Sequence, residues 1–152
     1  MRGCGVKRAS FLDEMRERYK DRFKWVERGI HGRELARLIA RSKLVLAPDY
    51  PITDRYWSNR VFQVCGFGGV LLHPLSCGLI GAGKEASMYE DRVEILAYRN
   101  RLHLHELVAE FLDKPQHRDN ISRSTVIRTA QDHTYRHRVE KLLTMVKERL
   151  LK

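Results

Sequence analysis

Cysteine is scarce in this 152-residue sequence: Cys4, Cys65 and Cys77, an odd number with no Cys-x-x-Cys spacing. Such usage argues against a disulfide framework or a zinc cluster and predicts reduced thiols in a cytoplasmic protein. No apolar run approaches the roughly 18–20 residues of a membrane span. The opening "MRGCGVKRASFLDEM" has charges but no apolar core, which argues against a secretory signal. Internal repeats, low-complexity stretches and blocks of five like charges are also missing. There is no Gly-x-Ser-x-Gly elbow, so the sequence offers no hydrolase nucleophile of that type. The seven histidines have no cysteine or carboxylate completing a metal set. His103 and His105, two apart, would point to different sides of a helix.

What the chain has in excess is positive charge, net +10 with an isoelectric point near 9.9. That favours anionic partners: phosphates, nucleic acid or an anionic membrane surface. The basic residues run from Arg2 to Lys152 and mix with acids, as in "DEMRERYKDR", so a solvated basic surface accounts for them equally. A hydrophobic fraction of 43% and a charged fraction of 32% fit one soluble globular domain over residues 1–152.

Periodicity organises the chain as alternating helices and strands. Ser10 can cap a helix reaching Tyr19, and "RFKWVERG" alternates like a strand ended by Gly29. Leu35, Leu38 and Ile39 make a helical stripe before the apolar strand "KLVLA". A proline loop leads to a helix over Tyr56–Gly66, which Gly68-Gly69 ends and hands to the buried strand Val70-Leu71-Leu72. A glycine-rich loop, with a short helix near Glu85–Tyr89, precedes the strand "VEILAY". From Leu102 onward the pattern is helical, with Pro115 interrupting it. Thr134 caps the last helix, whose apolar stripe is Tyr135, Val139, Leu142, Leu143, Val146 and Leu150. That stripe is expected to cover its own sheet; left exposed, it would seek a second protein domain or another copy of the chain. The predicted fold is α/β: a Rossmann-like parallel sheet of about four strands with flanking helices and a helical carboxyl-terminal third. Ligands are expected outside the carboxyl ends of its strands.

Three stretches bear on chemistry. In "YWSNRVFQVCGFGGVLL", about 100° per residue puts Tyr56, Asn59, Arg60 and Gln63 on one arc and Trp57, Val61, Phe62, Val64 and Cys65 on the rest. The polar arc is a ligand site or a solvated face. "GLIGAGKE" nearly matches the phosphate-binding pattern G-x-x-x-x-G-K-[ST], but Glu85 stands where a magnesium-binding hydroxyl is needed. A flexible glycine loop near a ligand suits it better. "QDHTYRHR" gathers charge at a helix start, where His133 and Thr134 can cap and Arg136 and Arg138 can pair with acids or contact an anion.

Together these stretches resemble the carboxyl-terminal domain of GT-B glycosyltransferases, group-1 type, as in spore-maturation-like proteins. The family pattern is Ser-x-Arg-x-Phe-Glu, a few small residues and a glycine before a Leu-rich strand. Here stand Ser58-Asn59-Arg60-Val61-Phe62-Gln63, then Gly68-Gly69-Val70-Leu71-Leu72, with His133-Thr134-Tyr135-x-x-Arg138 near the end. The likeness covers roughly residues 32–143. It implies half of a GT-B fold that binds a nucleotide-diphosphate sugar such as a UDP- or GDP-sugar, with no metal and no other cofactor. It implies donor contacts from Tyr56, Ser58, Asn59, Arg60 and Gln63, the last toward the ribose, and close helix–strand packing at Gly68 and Gly69. Nucleic acid is not an expected partner. Two departures stand out. Gln63 replaces the family's glutamate, and Arg55 stands where related retaining enzymes often carry a second one. The chain also has room for only one half of the two-domain enzyme, the half without an acceptor site. A fragment, a subunit completed by a partner, a non-catalytic interaction subunit and a basic nucleic-acid-binding module on the same scaffold all remain open, and no catalytic base can be named.

Overall fold

The computed structural model describes residues 4–26, 29–48, 56–80 and 88–150, which fall into two compact units, 1–35 and 36–152. In the first, helix α1 (Cys4–Tyr19) runs into a 3-10 turn at Lys20–Arg22. The helix begins at Cys4, so Ser10 lies inside it and is not its cap. Phe23–Val26, expected as strand, are irregular. Alternation gives a strand its two faces, but a strand also needs a neighbour for its N–H and C=O groups. No described strand pairs with these residues.

Helix α2 (Gly32–Arg41) follows, then β1 (Val45–Leu46), α3 (Arg60–Gly66), β2 (Leu71–Pro74) and β3 (Leu96–Tyr98). Helices α4 (Arg101–Leu112), α5 (Pro115–Asp132) and α6 (Tyr135–Leu150) complete the chain. Among the described residues the sheet has three parallel strands in the order β1-β2-β3, not four. Val45 pairs with Leu71, and Leu72, His73 and Pro74 pair with Leu96, Ala97 and Tyr98. All four β2 residues, His73 among them, are buried, as a strand covered on both faces requires. This is the Rossmann-like α/β layering, with helices flanking a small parallel sheet.

The junction of α3 and β2 is set by glycines. Gly68 takes φ +76°, and its N–H reaches the Cys65 carbonyl at 3.0 Å while the Gly69 N–H reaches the Val64 carbonyl at 2.9 Å. These two bonds form a Schellman cap, which needs a left-handed residue where glycine carries no steric penalty. The Ser122 hydroxyl of α5 donates to the Gly68 carbonyl at 2.7 Å, tying the turn to the next layer.

Pro115 opens α5 rather than merely interrupting a helix, since its missing N–H is one that a first turn leaves unbonded anyway. Ile121, Thr125 and Thr129 are the buried residues of α5, which packs on α3. Helix α4 buries Leu104, Leu107, Val108 and Phe111, and Asn100 caps it by accepting from the His103 N–H at 2.9 Å. Helix α6 behaves otherwise. None of its residues is buried, so the expected packing of its stripe on the chain's own sheet does not occur.

Candidate functional site

Helix α3 begins at Arg60, not at Tyr56. Tyr56 and Trp57 therefore precede the helix, and the four polar residues read as one helical arc do not share it. Asn59 is the residue before the first helical turn, and Tyr56 is 54% exposed. A cleft of about 500 Å³ opens here, lined by Tyr56, Trp57, Asn59, Phe62, Met88, Tyr135 and Arg138. Trp57 is half-buried on its wall.

Each wall is held by identifiable bonds. Phe62 rests on an aromatic cluster, with its ring 5.7 Å from His133 and 6.2 Å from Tyr89, which are themselves 4.9 Å apart. The Tyr89 hydroxyl lies 2.8 Å from that of Thr129, and Thr129 donates its own proton to the Thr125 carbonyl. Tyr89 is therefore the donor of that pair, since a threonine hydroxyl has one proton to give. Burial holds the Tyr89 phenol above its ordinary pKa and pushes the neighbouring Cys65 thiol up to about 11. Both stay neutral, and Cys65 acts as a small apolar packing residue. The Met88 carbonyl accepts from His133 Nε2 at 2.8 Å and Arg128 Nε at 3.1 Å, which fixes that edge of the cleft to α5.

The far wall comes from the start of α6. Thr134 caps it reciprocally: its hydroxyl oxygen accepts the His137 N–H at 3.5 Å, and its own N–H donates to His137 Nδ1 at 3.3 Å. His133 closes α5 instead, its N–H bonding the Thr129 carbonyl. The cap aims two residues into the cleft. The Tyr135 hydroxyl accepts from Asn59 Nδ2 at 2.8 Å, bridging α6 to the start of α3. The Arg138 guanidinium lies 4.1 Å from the Phe62 centroid and 5.7 Å from that of Tyr135. Arg138 forms none of the ion pairs found among the described residues, although its neighbour Arg136 approaches Glu140 at 3.9 Å. Replacing Thr134 by alanine should cost about 1 kcal/mol, read as a lower thermal midpoint, because the first turn of α6 loses its cap.

A family model described as glycosyl transferase-like matches residues 7–144, from α1 into α6. The chain belongs to the glycosyl transferase-like family. No curated protein and no solved structure matches it.

Of the residues singled out in this glycosyl transferase-like chain by sequence, Tyr56 and Asn59 line the cleft. Arg60 and Gln63 are exposed on α3 beside it, with Gln63 one turn after Asn59. Ser58 accepts the Val61 N–H through its carbonyl. Gly68 and Gly69 form the cap beyond the helix and not the cleft. Glu85, Arg55 and most of "GLIGAGKE" lie outside the described residues. Phe62, Met88 and Tyr135 escaped the sequence reading because their apolar character marks them as packing residues. Arg138 stood in a charged stretch that allowed an anion contact, and only the fold shows which cleft it faces. Among the described residues no three His, Cys, Asp or Glu side chains converge to hold a metal ion.

Proposed function

We propose that the chain is the donor-binding half of a glycosyltransferase of GT-B architecture, taking a nucleotide-diphosphate sugar and acting once an acceptor domain completes it. The observation that carries this reading is Arg138, a cation with no ion pair among the described residues, laid on the Phe62 ring in the cleft. An aromatic wall of Tyr56, Trp57, Phe62 and Tyr135 suits a flat base, because every base has a π face to stack. A guanidinium beside that wall suits a diphosphate, which its planar fork of donors can bind in bidentate fashion. In transfer, the diphosphate leaves with growing negative charge, and a fixed cation stabilises that departure without reorganising. The Asn59 amide, already pointed across the cleft mouth, would give a hydrogen bond to phosphate or sugar in exchange for its bond to Tyr135.

Gln63 accounts for the ribose. An amide oxygen accepts from one hydroxyl, whereas a carboxylate accepts from two with charge assistance. Gln63→Glu is therefore expected to tighten UDP or GDP binding by about 1–2 kcal/mol in a calorimetric titration. Unchanged affinity would remove Gln63 from the site while leaving the Arg138 cleft to be judged by its own variants.

A further inference from the structure

Helix α6 is tied to the rest of the chain at one end. Only His133 and Thr134 separate it from α5, and none of its residues is buried. Among the described residues, the hydrogen bonds and ion pairs of 139–150 stay within the helix. Two contacts fix its first turn to the cleft: the bond from Asn59 Nδ2 to the Tyr135 hydroxyl, at 2.8 Å, and the Arg138 guanidinium on Phe62. All four of these residues line the cleft. A 16-residue helix that buries nothing is marginal in water, so its hold depends on that turn.

We propose that the Asn59–Tyr135 bond is an autoinhibitory latch. It joins two walls of the cleft in the free protein, and a nucleotide diphosphate takes the Asn59 amide only by displacing Tyr135. The inference rests on the donor-binding reading of the cleft. An exposed hydrogen bond usually contributes little, because ordering its partners offsets most of the gain. Here both partners are ordered by other contacts. The His133 ring lies against Phe62 and Tyr89 and bonds the Met88 carbonyl, and the Thr134 cap sets the turn that carries Tyr135. Asn59 stands directly before α3, whose first turn is anchored by buried Val61 and Phe62. The bond therefore forms without most of the usual ordering cost.

Latch and ligand are thermodynamically linked. Molecules in which Tyr135 holds Asn59 do not offer that amide, so apparent affinity falls with the fraction unlatched. The reverse also holds, and a bound diphosphate releases the Tyr135 end of α6. Arg138, three residues on, lies on the same side of the turn and then holds α6 to the ligand through a phosphate. The first turn of α6 thus exchanges an anchor on the protein for one on the ligand. The opposite role, a bond that aims Asn59 at the ligand, predicts a change of affinity of the opposite sign.

The test is Tyr135→Phe, which keeps the aromatic ring on the wall and removes the acceptor. Calorimetric titration of the full chain with UDP and GDP should show binding about three- to fivefold tighter than in the parent. With Asn59→Ala already present, the same substitution should change nothing, because the latch is gone. Unchanged or weaker binding in Tyr135→Phe overturns the proposal and leaves the donor-binding reading standing. Hydrogen exchange of the ligand-free chain reads the latch without a nucleotide. Amides at the start of α6 should exchange about three- to fivefold faster in Tyr135→Phe and in Asn59→Ala, with the circular dichroism spectrum unchanged. Exchange equal to the parent in both variants overturns the latch whatever the cleft binds. Faster exchange with no binding of UDP or GDP to any variant ends the donor-binding reading, and with it the latch's control over a ligand.

Discussion

Arg138→Ala is expected to weaken binding of UDP or GDP by about 1.5–3 kcal/mol, more than tenfold, because a charge-assisted contact to the diphosphate is lost. The same substitution should hardly move stability. Arg138 is exposed, and its stacking on Phe62 at 4.1 Å contributes only about 0.5–1 kcal/mol at such a site. Arg138→Lys separates charge from shape. It keeps the cation but loses the planar fork and the flat packing on Phe62, so an intermediate affinity is expected. Calorimetry gives the affinities and thermal unfolding gives the stability control. A variant that binds as tightly as the parent would show that the cleft's cation does not meet the ligand.

The second large effect concerns stability and divides three neighbouring glycines. A Cβ on Gly69 would stand 2.7 Å from both Ile39 Cγ2 and Val64 Cγ1, closer than real Cβ contacts come, and 3.2 Å from the Val64 carbonyl. Gly69→Ala should therefore cost about 1–3 kcal/mol by overpacking the seam where α2 meets the α3–β2 turn. A chain of this size loses about 2–4 °C of thermal midpoint per kcal/mol. Gly68→Ala is destabilising for a different reason, the positive φ of +76°. Gly66→Ala should have the opposite sign: its nearest neighbour is Thr129 Cγ2 at an ordinary 3.6 Å, and alanine suits a helix by about 0.5–1 kcal/mol. If Gly69→Ala proved as benign as Gly66→Ala, the close approach of Ile39 would not exist in solution.

The glycine junction also shows what the sequence makes legible. Gly68-Gly69 after an apolar helix and before Val70-Leu71-Leu72 is local chemistry, and the structure places a Schellman cap and the central strand there. Leu104, Leu107, Val108 and Phe111 are legible for the same reason, since a helical period needs no knowledge of the rest of the fold. Properties that depend on distant neighbours are not. The alternation of Phe23–Val26 cannot reveal that no described strand lies alongside. Helical spacing groups Tyr56 with Asn59, Arg60 and Gln63, but the helix starts at Arg60 and Tyr56 goes to the cleft wall. The α6 stripe has the spacing of a buried face, and spacing is silent on whether anything covers it. In the cleft itself, Arg138 comes from one end of the chain and Phe62 from its middle. Their 4.1 Å contact is a tertiary fact that neither stretch announces.

The cleft lined by Tyr56, Phe62 and Arg138 is the proposed seat of a nucleotide-diphosphate sugar. Calorimetric titration of the full chain with UDP, GDP and their sugar conjugates, at low and high salt, tests it most directly. Saturable binding that persists at high salt is expected, weakened by more than about tenfold in Arg138→Ala and weakened also in Asn59→Ala. No binding of any nucleotide at either salt, or binding that both variants leave intact, would contradict it.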